Sequence, residues 1–348
     1  MERRKSKEIK IGSVKIGADH PIAVQSMTFT KTANADATVE QILSLERAGC
    51  DIVRFSVPDE ESAKSISYIK EHTHIPLVAD IHFNYKLALA ALERGIDKIR
   101  INPGNIGSPE RIKAVADACR MRGVPIRIGV NGGSLEKHIL AKYGSPTPEA
   151  LCESALYHVR LLEQFDFTDI VVSIKSSDVA DTVRANRLFA EKTDYPLHLG
   201  VTEAGTERMG IIKSSAGIGS LLLDGIGDTI RVSLTDEVEK EVAAARDLLK
   251  ALGLRGGVNI VSCPTCARTN IDVIGLATRL HALLDDCEKN IKVAVMGCAV
   301  NGPGEAKDAD IGIAGGMGEA LLIKHGEIVE KIPEDRVIET LMAEIEKL

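Results

Sequence analysis

Eight short apolar segments recur between about residue 20 and residue 235 of this chain, separated by polar or amphipathic stretches, and that alternation restricts the fold more than any other feature. The segments are 22–26, 52–55, 77–81, 98–101, 126–130, 170–174, 197–201 and 229–232. Among the intervening stretches, 37–48, 62–71, 86–93, 109–121 and 151–164 carry helical periodicity. Strand and helix in strict alternation predict an α/β architecture with a parallel sheet, and eight regular units favour a closed (β/α)8 barrel of the TIM type over an open doubly wound sheet. Residues 9–16 read as a small hairpin centred on Gly12-Ser13, placed to plug the barrel bottom.

At Leu254-Arg255-Gly256-Gly257 the chain becomes glycine-rich, a boundary signal. The expected division is a barrel domain over 1–257 and a smaller α+β domain over 258–348. The second domain is expected to hold a strand at 258–261, a helix at 271–287, a strand at 292–295, further short strands up to 332 and a closing helix from 333. With 348 residues and 44% hydrophobic content, two cores are affordable in this length. A formal net charge of -7 argues against a general nucleic-acid binder, which would show a basic stripe. The charged start has no apolar stretch behind it, and no run approaches the roughly 18 apolar residues that read as a membrane span. A soluble, cytoplasmic protein is expected.

In a barrel of this kind the chemistry sits at the C-terminal strand ends. Those ends supply Gln25-Ser26-Met27, Arg54, Asp80 with His82, Arg100 with Asn102, Arg127 with Asn131, Lys175, Glu203, and Arg231 with Ser233. Each cation taken singly is readily explained by a loop carboxylate. Arg54, Arg100, Arg127, Lys175 and Arg231 together are costly to cluster unless an anion meets them, and the mixture of guanidinium and ammonium suits a diphosphate. Lys213-Ser214-Ser215-Ala216-Gly217 is expected to open a helix whose N–H groups add phosphate contacts, although it also reads as an ordinary cap. Glu203 is expected to be the carboxylate at the late strand ends, with a structural salt bridge as the bland alternative. Asp80 and His82 are expected to position substrate.

Seven cysteines in a chain of this class do not suggest a disulfide framework. Cys50, Cys119 and Cys152 are scattered and read as small core hydrophobes. Cys263-Pro-Thr-Cys266 and Cys298 are bunched, and Cys298 enters a Gly/Pro-rich loop that runs to Glu305. That spacing points to an iron–sulfur cluster. For the fourth ligand, Glu305 is preferred to Cys287, because Val273, Leu276, Leu280, Leu283 or Leu284, and Cys287 form one apolar helical stripe. Three thiolates with one harder oxygen ligand suit a cluster whose unique iron must bind substrate. A zinc ribbon normally shows two Cys-x-x-Cys knuckles and only one is present; a thioredoxin-type pair leaves Cys298 unexplained.

Longer motifs extend this reading. They include Val24-Gln25-Ser26-Met27-Thr28, Ile99-Arg100-Ile101-Asn102-Pro103-Gly104-Asn105, Arg127-Ile128-Gly129-Val130-Asn131 and Gly200-Val201-Thr202-Glu203-Ala204-Gly205. Further along stand Asp224-Gly225-Ile226-Gly227-Asp228-Thr229-Ile230-Arg231-Val232-Ser233, Cys263-Pro264-Thr265-Cys266-Ala267-Arg268-Thr269 and Cys298-Ala299-Val300-Asn301-Gly302-Pro303-Gly304-Glu305. Through these the chain resembles, essentially end to end, the bacterial two-domain 4-hydroxy-3-methylbut-2-enyl diphosphate synthase family, without the extra central domain of plant-type members.

The resemblance implies an oxidoreductase of the non-mevalonate isoprenoid pathway that reductively opens and dehydrates 2-C-methyl-D-erythritol 2,4-cyclodiphosphate. It implies a [4Fe–4S] cluster on Cys263, Cys266, Cys298 and Glu305, flavodoxin or ferredoxin as electron donor, and a homodimer in which one subunit's cluster domain caps the other's barrel. Arg54, Arg100, Arg127, Lys175, Arg231 and Ser233 are then expected to hold the diphosphate ring, with Asn131 and Asn301 as polar contacts and Glu203 handling the proton. The rivals are a diphosphate-binding barrel transferase with a structural zinc domain, and an electron carrier or assembly protein with no substrate of its own.

Overall fold

The computed structural model describes residues 2–285 and 287–348; Met1, in the charged start, and Asp286, inside the helix expected over 271–287, lie outside them. Eight parallel strands form the first sheet: β1 (Ala23–Met27), β2 (Ile52–Ser56), β3 (Leu77–Asp80), β4 (Lys98–Ile101), β5 (Ile126–Asn131), β6 (Ile170–Lys175), β7 (His198–Leu199) and β8 (Thr229–Ile230). Their order is β6-β5-β4-β3-β2-β1-β8-β7. Thr229 pairs with Ala23, and an isolated parallel bridge from Val172 to Leu197 joins β6 to the start of β7. The ring therefore closes, which a doubly wound sheet never does.

β7 and β8 are shorter than the sequence pattern suggested. Beyond them the ladder loosens without being lost: Arg231 N–H donates to Leu199 O at 2.9 Å and Thr202 N–H to Ser176 O at 3.2 Å. The helices between strands start on side-chain caps where the sequence offers them, as at Asn34, Asp59, Thr147 and Asp178. One expectation is overturned here. The helix after β7 runs Glu207–Leu223, so Lys213–Gly217 lies in its middle. N–H groups there are spent on the helix's own i−4 carbonyls, leaving none for a phosphate.

An antiparallel hairpin (Ile9–Ile11 and Val14–Ile16) turns at Gly12, whose φ is +56°. Ile9, Ile11 and Ile16 are buried against Ala23, Ile52, Val78 and Val171 at the N-terminal ends of the barrel strands. Each such side chain contributes roughly 1.5–3 kcal/mol by burial. The barrel bottom is thereby sealed with hydrocarbon.

The chain divides into two compact units between Leu252 and Gly253. The second contains β9 (Asn259–Ser262), β10 (Lys292–Met296), β11 (Ile311–Gly315), β12 (Glu319–Lys324) and β13 (Glu327–Pro333) in sequential order. The first two pairings are parallel and the last two antiparallel. Helices Val273–Leu284 and Val337–Lys347 cover one face, burying Leu276, Leu280, Val293, Val295, Ile313 and Leu341. The closing helix is preceded by a 3₁₀ turn, Glu334–Arg336, rather than starting at Pro333. The other face buries Ala294, Met296, Ala306 and Ala314 around the short helix Gly302–Glu305. No helix among the described residues is long and apolar enough to cross a membrane.

Sealing by the hairpin has a measurable cost of removal. Ile11→Ala should lower the unfolding free energy of the barrel by about 3 kcal/mol in a urea titration; a loss below about 1 kcal/mol would mean the hairpin is only laid against the barrel.

Candidate functional site

The C-terminal end of the barrel opens into a cavity of about 320 Å³. Arg54, Asp80, His82, Arg100, Arg127, Asn131, Lys175, Arg231 and Ser233 all line it, together with Asn102, Asn105, Ser134, Ser173 and Thr202. Period-two alternation explains the convergence: residues at the same level on successive strands point to the same side. Thus Asp80 is the register partner of Arg100, and Arg100 of Arg127.

Two carboxylates organise three of the five cations. Asp80 Oδ1 accepts from Arg100 Nη1 at 2.9 Å, and Asp80 Oδ2 lies 3.6 Å from Arg54 Nε. Glu241, from the helix Val238–Ala251, takes Arg231 Nε at 3.2 Å and Nη2 at 3.3 Å, and also accepts from Ser26 Oγ at 3.0 Å. Met27 Sδ lies 2.9 Å from Arg54 Nη2 and 3.8 Å from Arg231 Nη1. Arg127 and Lys175 have no carboxylate in salt-bridge contact among the described residues, yet both are buried. The mouth therefore carries positive charge that nothing in the barrel neutralises.

The titration behaviour follows from that imbalance. Burial alone would raise the Asp80 carboxyl, but Arg54, Arg100 and Arg127 outweigh it and hold it below the usual carboxylate range. Burial pushes Arg54 down to about 10, partly offset by Asp80. Burial first, then the crowd of neighbouring cations, pushes Lys175 and Arg127 well below their ordinary values. A bound multiply charged oxyanion would reverse every one of these penalties.

Two glycines make room for this packing. A Cβ at Gly129 would stand 2.6 Å from Arg100 Nε and Nη2, and one at Gly200 would stand 2.6 Å from Lys175 Nζ. Glu203 does not line the cavity. It is exposed on the loop after β7, beside Thr202, and its φ of +53° puts it in the left-handed region that a residue with a Cβ rarely adopts. The carboxylates within the mouth's own network are Asp80 and Glu241. Glu241 escapes strand-end reasoning because it is on a helix; its signal is a carboxylate on the same buried face as Val238, Val242 and Ala245.

In the second unit, Cys263 follows β9 and Cys298 follows its neighbour β10. Cys263 N–H donates to Val295 O at 3.2 Å, and Cys263 Sγ accepts from Gly297 N–H at 3.1 Å. Cys266 is exposed, with its N–H on Thr269 Oγ1 at 3.1 Å. Glu305 is exposed at the end of the short helix, its N–H on Asn301 O at 3.0 Å. Cys287 lies past the helix end at Leu284 and packs against the hydrophobic core; Leu283, by contrast, faces solvent.

The thiols fall into two groups. Burial pushes Cys50 up to about 12 and raises Cys119 and Cys152 as well. Backbone and side-chain N–H donors of Arg268 lower Cys266. Backbone N–H groups of Asn301 and Val300 lower Cys298 against a burial penalty, helped by that of Gly302 and by the Arg268 charge. N–H groups aimed at sulfur are what a thiolate-ligated group requires. Among the described residues no three His, Cys, Asp or Glu side chains are gathered tightly enough to hold one metal ion.

Comparison with known proteins places these features in a family. Residues 6–246 match the family described as GcpE TIM-barrel domain and residues 259–347 the GcpE protein C-terminal domain. The 4-hydroxy-3-methylbut-2-en-1-yl diphosphate synthase (flavodoxin) of Caldicellulosiruptor saccharolyticus is 59% identical over 99% of both chains. That of Clostridium perfringens is 54% identical over the whole of both chains. Among solved structures, dihydropteroate synthase from Stenotrophomonas maltophilia matches with a TM-score of 0.53 at 16% identity, over 71% of this chain and 97% of its own. The 3-dehydroquinate dehydratase of Geobacillus kaustophilus gives the same score and identity over 72% and 98%. These two share the barrel fold.

The glycine cradle and the thiol contrast each make a prediction. Gly129→Ala should displace the Arg100 guanidinium and weaken inorganic pyrophosphate binding tenfold or more by calorimetry, the scale of one charged hydrogen bond, with the fold intact by circular dichroism. In metal-free protein, Cys266 should be alkylated by iodoacetamide well before Cys50, Cys119 or Cys152, as read by peptide mass spectrometry.

Proposed function

Because the chain belongs to the GcpE family, whose two domains it matches in order, we propose that it forms 4-hydroxy-3-methylbut-2-en-1-yl diphosphate by reductive ring opening and dehydration of 2-C-methyl-D-erythritol 2,4-cyclodiphosphate. It is an oxidoreductase of the non-mevalonate route to isoprenoids. The observation that carries the substrate side is the surplus of cations over carboxylates around the barrel mouth.

The barrel domain binds the diphosphate. Asp80 aims Arg54 and Arg100, Glu241 aims Arg231, and Arg127 and Lys175 supply charge with no carboxylate bonded to them. Asn131, Ser233 and His82 add polar contacts from the rim, and Asn301 is assigned as a further polar contact from the cysteine-bearing loop. Guanidinium and ammonium groups fixed around the cavity stabilise charge on the phosphate oxygen as its bond to carbon breaks. Two electrons enter, two protons are taken up, and one water leaves. Glu203 delivers a proton as the hydroxyl departs; its strained backbone, next to cavity-lining Thr202, supports an active role.

The second domain holds the redox group. Cys263, Cys266, Cys298 and Glu305 would ligate a [4Fe–4S] cluster, supported by the lowered Cys266 and Cys298 thiols. Such a cluster, when bound, supplies single electrons and one iron that is not thiolate-ligated. The electron donor is flavodoxin, in keeping with the names of the relatives. The working unit is a homodimer, one subunit's cluster domain serving the partner's barrel, and it acts in the cytoplasm, where thiols stay reduced.

The test is anaerobic turnover of the cyclodiphosphate with reduced flavodoxin, alongside iron and sulfide counts; zinc in place of iron, or no linear allylic diphosphate, would overturn the reading. Glu203→Gln should retain iron and substrate affinity while losing at least about a hundredfold in kcat, the scale of general acid–base catalysis. Cys287→Ala should leave the iron content and visible absorbance unchanged, whereas Cys298→Ala should abolish both.

A further inference from the structure

Barrels of this type are normally filled by layers of branched aliphatic side chains. Below the rim, this one is not. Along a strand the residue two positions earlier faces the same way. One step down the strand from Arg100, Gly129, Gly200 and Met27 stand Lys98, Arg127, His198 and Gln25; Arg127, level with Arg100 by register, also lines the cavity. All four are buried, with Lys98 and His198 0% and Arg127 and Gln25 1% exposed. Beneath them lies the hydrocarbon seal that includes Ala23, Ile52 and Val171.

This layer holds donors without acceptors. Gln25 Nε2, Lys98 Nζ, Arg127 Nε and His198 Nε2 have no hydrogen-bond partner. Two of them meet across the barrel: Arg127 Nη1 reaches Gln25 Oε1 at 3.5 Å, from β5 to β1 on opposite sides of the ring. Arg127, Lys175 and Lys98 all bear on His198. The charges that weigh on Lys98 are those of Arg127 and Arg54, with no carboxylate among them. Asp80, which does bear on Arg127, is engaged by Arg54 and Arg100. The Thr229 hydroxyl lies 2.8 Å from His198 Nδ1, so donation from that hydroxyl leaves the His198 Nε2–H pointing away with nothing to meet.

Buried donors left bare are costly, and a folded protein rarely accepts four of them in one place. A water molecule accepts two hydrogen bonds and brings no charge to set against Lys98 and Arg127. An anion answers both needs. With all four side chains at most 1% exposed, a monatomic ion is favoured over a bulkier oxyanion.

We propose that the barrel contains a second, resident anion site beneath the substrate cavity, in which Lys98, Arg127, Gln25 and His198 hold a small inorganic anion of the halide class. The ion offsets the mutual repulsion of Lys98 and Arg127 and lets Arg127 stay charged toward the cavity above. It shares Arg127 with the diphosphate site but lies apart from it, since Lys98, Gln25 and His198 do not line that cavity.

Bromide is the probe. Crystals of the wild-type protein grown in sodium bromide should show an anomalous peak in contact with Lys98 Nζ and Arg127 Nε, below the rim. In solution the melting temperature should rise by about 3 °C in saturating bromide relative to gluconate at equal ionic strength. Lys98→Met should lose that rise while retaining its far-ultraviolet spectrum. Water alone between these residues, an empty layer, or an equal bromide response in Lys98→Met would overturn the proposal. Should Lys98→Met fail to fold, the diffraction result on the wild-type protein decides.

Discussion

The first unit is arranged around positive charge confined in a place where water cannot fully solvate it. Arg54, Arg100, Arg127, Lys175 and Arg231 converge at one end of a closed ring of strands, and among the described residues only Asp80 and Glu241 answer them by salt bridges. Such an arrangement is unfavourable in the empty protein and becomes favourable when a polyanion arrives. The rest of the barrel supplies the rigidity to hold it. Strand pairing fixes the level of each side chain, the Asp80 and Glu241 carboxylates fix the guanidinium orientations, and the glycines at 129 and 200 leave the volume that the long side chains occupy.

Preorganisation of this kind spends folding free energy on binding readiness. The cations are held apart by partners they share, not neutralised one by one. Asp80 serves two arginines through its two oxygens, and Glu241 serves Arg231 with both of its own. The second unit handles its thiols by a related device. Backbone N–H groups stand in for positive charge around Cys266 and Cys298, while the scattered cysteines sit in hydrocarbon and remain protonated. In both units polar groups are placed for a guest before the guest is present.

How much of this was legible in the sequence depends on the range of the interaction. Strand–helix alternation is local, and it yields the barrel, the sealing hairpin and the level of each rim residue. The ends of β7 and β8 were less legible, because loosened ladder bonds leave no mark in composition. Lys213–Gly217 misled for a local reason: Ser-Ser-Ala-Gly has the composition of a cap, yet the helix begins earlier, at Glu207. Glu241 was hidden by distance, since its pairing with Arg231 joins a helix to a strand end. Gly129 and Gly200 stood inside quoted motifs, but their purpose appears only once register sets them against Arg100 and Lys175. Glu203 was placed at the mouth by sequence order; its left-handed backbone was not foreseeable from residue type.

The hairpin under the barrel has a further implication for traffic. Ile9, Ile11 and Ile16 stopper the ring from below, and the segment leading into them is lashed down by Arg4 on Thr193 O and Tyr195 O and by Ser6 on Asp228. With its floor blocked, the barrel is a blind well. Whatever reaches the arginines enters from above, and the product, the released water and any exchanging proton must depart through the same aperture. Emptying the well therefore competes with refilling it, and the lifetime of product at that single opening sets a ceiling on turnover.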